Sequence, residues 1–305
     1  MQILLSSIIN HNRKYTKEGE VATYIPELSK ADKNHLGIYV VTLDGEEYGE
    51  GDYNVKFTMQ SISKVVTLML ALLDNGPEKL FEKIDMEPTA DTFNSISSLE
   101  TRNPQKPLNP MINSGAIATT SLIYGESSEK KIERILKFTR RITGNKDINI
   151  NYDVFKSEKE TGHRNRALAY YMKSTGVIDG DVEDILDAYF MQCSMEVTCK
   201  DIARIAAMLA NNGLLPWSGE RIIPAHYARI VKTIMVTCGM YDESGEFAVK
   251  VGIPGKSGVG GGILAAVPNR MGIGVFGPAL NKKGNSIAGL KVLEELSREL
   301  DLSIF

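Results

Sequence analysis

The hydrophobic pattern changes period along the chain. At the N-terminal end, residues 36–44 (LGIYVVTLD) and 46–50 read as two short strands joined by a tight turn at Asp44-Gly45. Near the other end, 261–267 and Met271–Phe276 form a second apparent hairpin, turning at Pro268-Asn269-Arg270. After it, Ile287, Leu290, Leu293, Leu296 and Leu300 recur at helical spacing over 286–300. Between the two strand regions the period is that of helices, predicted over 113–124, 129–143, 163–174, 182–192, 198–211 and 224–236. Loops are expected at 103–110, with three prolines, and at 212–223, opened by Gly213. The run Val65-Val66-Thr67-Leu68-Met69-Leu70-Ala71-Leu72-Leu73 is apolar almost throughout, and a helix apolar all round is a buried one.

The order is thus strands, many helices, then strands and a closing helix, without βαβ alternation. This predicts an α+β fold: an antiparallel sheet assembled from both termini, with a helical lobe inserted between its halves. The expected division is one domain, 1–305, in two lobes: 1–60 with 238–305 around the sheet, and 61–237 helical. A chain of 305 residues with 43% hydrophobic and 24% charged residues has the make-up of a soluble globular protein. Its net charge of −3 argues against a general nucleic-acid binder. The N-terminal apolar stretch follows no basic segment and precedes no small-residue cleavage site, so it does not read as a signal peptide. No apolar run is long enough to span a membrane. Cys193, Cys199 and Cys238 form an odd, widely spaced set, as expected of reduced cytoplasmic thiols. His11, His35, His163 and His226 show no metal-ligand spacing, and neither a metal nor a cofactor is expected.

Ser61-Ile62-Ser63-Lys64 opens the apolar run. Residues three apart share a helix face, so Lys64 is predicted to reach the Ser61 hydroxyl. Burial disfavours the ammonium and lowers its pKa, which suits it to take a proton from serine. A free lysine titrates near 10.4, so being half neutral at pH 7 demands a drop of roughly 3 units, or about 4–5 kcal/mol. Burial with a second cation, Lys256, is expected to supply it. The same spacing recurs in Ser127-Ser128-Glu129-Lys130-Lys131. There it opens a charged amphipathic helix, where nothing is expected to desolvate a lysine.

A second element is Ile253-Pro254-Gly255-Lys256-Ser257-Gly258-Val259-Gly260-Gly261-Gly262-Ile263, with five glycines. Its Lys-Ser-Gly is a variant of the Lys-Thr-Gly that accompanies Ser-x-x-Lys in serine acyl-transferases of the β-lactamase and penicillin-binding type. The N–H of Val259 is expected to pair with that of Ser61 as an oxyanion hole. The Ser-x-Asn or Tyr-x-Asn element of penicillin-recognising enzymes is absent from the chain.

Several longer segments resemble the serine-dependent glutaminases. They are Ala22-Thr23-Tyr24-Ile25-Pro26-Glu27-Leu28, Gln60-Ser61-Ile62-Ser63-Lys64, Asn109-Pro110-Met111-Ile112-Asn113-Ser114-Gly115-Ala116 and Lys256-Ser257-Gly258-Val259-Gly260-Gly261-Gly262. Shorter stretches from Ser157-Glu158 to Arg164-Asn165, from Tyr189 to Cys193-Ser194, and Gly284-Asn285-Ser286 add to the resemblance.

The resemblance implies a β-lactamase/transpeptidase-like fold and hydrolysis of L-glutamine to L-glutamate and ammonia. It makes Ser61 the nucleophile and Lys64 its proton acceptor. Asn113, Glu158, Asn165, Tyr189, Tyr241 and Val259 would line the substrate site, with Tyr24 near the reaction centre. The α-ammonium of a free amino acid wants an anion, and Glu158 is the only acid of the set. Its α-carboxylate wants donors such as the two asparagines and a tyrosine hydroxyl. Tyr241 or Tyr24 would relay a proton to the departing ammonia. A homodimer or homotetramer is also implied. A β-lactamase or D-Ala-D-Ala peptidase is the rival enzyme, and a non-catalytic glutamine-binding protein the rival binder.

Overall fold

The computed structural model describes residues 1–101 and 105–305, so the loop expected at 103–110 begins outside the described residues. The helices are α1 Gln2–Asn12, α2 Ser63–Lys83, α3 Ser97–Glu100, α4 Asn113–Leu122, α5 Ser128–Thr143, α6 Tyr152–Thr161, α7 His163–Ser174, α8 Val182–Cys193, α9 Cys199–Ala210, α10 Ala225–Cys238, α11 Ser244–Lys250 and α12 Ile287–Leu300. The strands are β1 Gly37–Thr42, β2 Glu47–Gly51, β3 Phe57–Thr58, β4 Glu196–Val197, β5 Gly255–Ser257, β6 Gly262–Val267 and β7 Met271–Phe276.

The two terminal hairpins join through β1 and β7, which pair antiparallel with Gly37 opposite Phe276 and Thr42 opposite Met271. The resulting sheet runs β2-β1-β7-β6-β5, antiparallel at every pairing. Alternate residues of a strand face opposite sides, and both sides are covered. Ile38, Val40, Ile263, Ala265, Ile273 and Val275 pack with α1, α11 and α12. Tyr39, Val41, Leu264, Ala266 and Phe276 join the core shared with α2, α5, α9 and α10. A third cluster holds α4, α7 and α8 together.

Helix α9 lies so close to β7 that a Cβ on Gly272 would stand 2.0 Å from Ala207 N, and one on Gly274 2.2 Å from Cys199 O. Small residues on both partners thus set the spacing between sheet and helical lobe. The β3–β4 pair, Phe57 opposite Val197, ties the chain entering α2 to the chain entering α9. As the apolar run predicts, α2 is buried from Ser63 to Leu72, each large side chain contributing about 1.5–3 kcal/mol by leaving water. It bends at Gly76 (φ 75°), before Pro77. Among the described residues, no helix is long and apolar enough to cross a membrane.

Candidate active site

Ser61 stands in a single 3-10 turn, Gln60–Ile62, that leads into α2. The expectation of a nucleophile on the first α-helical turn is corrected by one residue's conformation: Gln60 has φ 48°, a left-handed geometry that persists only where its surroundings hold it. Here Gln60 Nε2 donates to Glu158 Oε1 (2.7 Å), Ser63 Oγ donates to Gln60 O (2.7 Å), and Ile62 N donates to Met59 O (3.0 Å).

The glycine-rich segment lies directly against this turn. A Cβ on Gly258 would stand 2.6 Å from Met59 O, and one on Gly260 2.5 Å from Thr58 O. Gly258 N donates to Gly262 O and Gly261 N to Gly258 O, both at 2.9 Å. Those bonds close the loop between β5 and β6. The Val259 amide faces the Tyr241 hydroxyl beside the Ser61 side chain.

Lys64 is fully buried. Its Nζ donates to Asn113 Oδ1 (2.7 Å) and Met111 O (3.2 Å). The predicted bond to the Ser61 hydroxyl is not formed, because the start of α4 offers two better-placed acceptors. Burial brings its pKa down to about 8, against the opposing pull of Cys193 and Glu158. The demand made of a neutral base is met for the most part by desolvation. Lys256 is also fully buried, donating to Ser257 O (2.7 Å) and Gly239 O (3.0 Å). Burial, and then repulsion from Lys64, holds it well below the ordinary lysine value. The two buried ammonium groups repel one another, which disfavours both being charged at once.

Asn113, at the start of α4, links Lys64 to the cleft, its Nδ2 donating to Asn165 Oδ1 on α7 (2.9 Å). Glu158, on α6, is buried, and burial raises its carboxyl to about 8 despite the Gln60 bond and the Lys64 charge. Tyr189, on α8, is buried, and its phenol is pushed well up by burial.

Ser61, Asn113, Glu158, Asn165, Tyr189 and Tyr24 line one cleft of about 570 Å³, open mouth included. Tyr24 stands at its mouth, 56% exposed. Tyr241 and Val259 do not line this cleft; they line two neighbouring hollows, each of which shares Phe93 with it. The Tyr241 hydroxyl is buried, turned toward the Ser61 side chain and the Val259 amide, and makes no well-formed hydrogen bond. Its ring lies 4.6 Å from Lys256 Nζ and 4.9 Å from the Phe93 ring.

Phe93 and Asn94 also line the cleft and escaped sequence reading, since they sit in a stretch with no period or motif. Gln60 was legible as a motif residue but not as the partner of Glu158. The copy Ser128-x-x-Lys131 differs from expectation in one respect: Lys131 is buried and its pKa lowered, chiefly by desolvation. Its Nζ donates to Ser121 O (3.1 Å) and Ile123 O at the end of α4, so it closes a helix end.

A family model described as Glutaminase matches residues 19–305. Glutaminase 2 of Clostridium perfringens (strain 13 / Type A) is 66% identical over 305 residues, the whole of both chains. The glutaminase of Clostridium tetani (strain Massachusetts / E88) is 68% identical over the same span, again the whole of both. Among solved structures, the probable glutaminase from Bacillus subtilis complexed with 6-diazo-5-oxo-L-norleucine superposes with a TM-score of 0.92 at 41% identity, covering 100% of this chain and 97% of that one. A covalent complex between a Bacillus subtilis glutaminase and 5-oxo-L-norleucine, formed with the same diazo compound, also gives 0.92 and 41%, with 100% and 99% covered.

Proposed function

The chain belongs to the glutaminase family and has its β-lactamase-like α+β fold, and from that premise we propose that it hydrolyses the side-chain amide of L-glutamine by acylation of Ser61. Glu158 receives the substrate's α-ammonium, which draws the buried carboxyl into its ionised form. Asn113, Asn165 and Tyr189 receive the α-carboxylate, and the side chain runs toward Ser61.

Lys64, in its neutral form, takes the Ser61 proton as Oγ adds to the carboxamide carbon. The oxyanion is held by the N–H groups of Ser61 and Val259. The C–N bond breaks as nitrogen takes a proton from Tyr241, which regains one from Lys64. Water then cleaves the glutamyl ester by the reverse route, giving L-glutamate. Tyr241 is preferred to Tyr24 as the donor because its buried hydroxyl is turned toward the Ser61 side chain and the Val259 amide. Tyr24 instead closes the mouth over bound substrate.

One observation carries this reading: a fully buried lysine with a pKa of about 8 lies three residues from a serine whose turn touches the glycine-rich strand. Ammonia release from L-glutamine, L-asparagine and D-glutamine, by the parent protein and by Ser61→Ala, tests it. Release from L-glutamine alone, lost in the variant, is expected; equal release by Ser61→Ala would overturn it.

The division into lobes 1–60 with 238–305 and 61–237 is retained as part of the proposal, with the cleft between them. So is assembly as a homodimer or homotetramer, for which Ile3, Val249 and Phe305 offer exposed apolar surface and which light scattering checks. A cytoplasmic setting suits the three buried, unpaired thiols.

A further inference from the structure

Gly284-Asn285-Ser286 has no part in the chemistry above, yet it meets the turn that presents Tyr241. Tyr241 has φ 55°, and a side-chain-bearing residue stays in that region only when its neighbours over-determine it. Within the turn, Met240 N donates to Ser244 Oγ (3.1 Å), Ser244 Oγ to Tyr241 O (3.0 Å) and Glu243 N to Met240 O (3.0 Å). From outside, Asn285 Nδ2 donates to Met240 O (3.3 Å) and to Glu243 Oε2. Asn281 Nδ2 donates to both Glu243 oxygens (2.9 and 3.1 Å).

The two asparagines also fix one another: Asn285 N donates to Asn281 Oδ1 (3.1 Å), and Asn281 N to Asn285 O (2.8 Å). Between them Gly284, at φ 90°, lies against the ring, where a Cβ would stand 3.6 Å from Tyr241 Cε2. One carboxylate thus gathers two asparagine amides onto the residues flanking Tyr241. None of the three side chains lines the cleft that holds Ser61.

We propose that Glu243, with Asn281 and Asn285, is a positioning clamp that fixes the Tyr241 hydroxyl beside Ser61 and affects turnover only through Tyr241. This rests on the reading of Tyr241 as the proton donor to ammonia. The chemistry separates the two. The p-nitrophenyl γ-ester of L-glutamate has a leaving group that departs as an anion and takes no proton, so its acylation burst does not need Tyr241 as an acid.

Glu243→Ala is expected to lower kcat for glutamine about tenfold or more, within the range for a lost general acid, with KM held within about twofold. The ester burst should stay within about twofold, and Glu243→Gln, which keeps an acceptor oxygen, should restore most of the amide activity. In a Tyr241→Phe background the same Glu243→Ala change should add less than about twofold, because two residues acting through one group are not additive. Asn285→Ala gives a second route to the same readout.

Parallel loss of amide and ester activity, an undiminished effect in the Tyr241→Phe background, or an unchanged kcat in both clamp variants would overturn the clamp. If Tyr241→Phe itself slows amide and ester equally, it is the donor reading that fails.

Discussion

Removing Lys64 is expected to cost chemistry and not folding. A buried amine whose proton affinity has been driven down by desolvation is a burden on the native state. Lys64→Met should therefore lower kcat by at least about a thousandfold while leaving the melting temperature equal or higher, as an ammonia assay and a thermal scan of the same preparation will show. Glu158 carries the opposite expectation. Glu158→Gln keeps the shape and the Gln60 bond but loses the charge that meets the α-ammonium, a charge-assisted bond worth about 1.5–3 kcal/mol. KM for glutamine should rise by about 10–150-fold with a smaller change in kcat. Steady-state kinetics on the two proteins measure this split.

At the residue scale the sequence showed Ser61 and Lys64 because their spacing and the apolar run beyond them are local facts. It did not show Glu158 without a family resemblance, since Ser157-Glu158-Lys159-Glu160 looks like solvated surface. In the fold it is buried and accepts a bond from Gln60, 98 residues away. Lys131 was misjudged for the same reason: what covers it is the end of α4, and no local pattern announces that.

Among elements, the contact between the glycine-rich loop and the Gln60–Ile62 turn decides whether an oxyanion hole exists. Gly258→Ala would place a methyl 2.6 Å from Met59 O, and main chain cannot yield as a flexible side chain does. The overpacking should cost about 1–3 kcal/mol of stability. The displaced donor should lower kcat by about a hundredfold or more. Chemical denaturation together with kcat distinguishes this from simple unfolding. Strongly periodic elements were legible to within a residue or two: α5, α7, α9 and α12 follow their expected spans. Helix α6 was not foreseen, because of its ten residues only Val154 and Glu158 are buried and no apolar stripe forms. The two-residue strands β3 and β4 are too short to leave a period.

For the whole molecule, strands at both ends and helices between them were enough to indicate the α+β architecture. They did not reveal that α9, from the helical stretch, rests on the sheet, in a shared apolar core whose close approach Gly272 and Gly274 allow. The assembled protein should also carry a distinctive pH signature. Glu158 holds its proton up to about 8 in the fold but releases it near 4.3 when unfolded. The native state binds more protons between those values, so this group's contribution falls as pH climbs through them. Lys64 works the other way: its native pKa of about 8 lies below its unfolded one, so stability returns as pH rises from about 8 toward 10. Urea unfolding at about pH 5, 8 and 10 should show the pair's contribution lowest near 8, with Glu158→Gln removing the loss on the acid side. Because catalysis uses the deprotonated form of both groups, kcat/KM should rise with pH through about 8.

The most direct measurement is a peptide map of the protein after inactivation by 6-diazo-5-oxo-L-norleucine, a glutamine-shaped electrophile that captures a nucleophile in place. The account predicts one 5-oxo-norleucyl group per chain, attached to Ser61, and no stable label on Ser61→Ala. A label on any other side chain, or inactivation that leaves Ser61 unmodified, would contradict it.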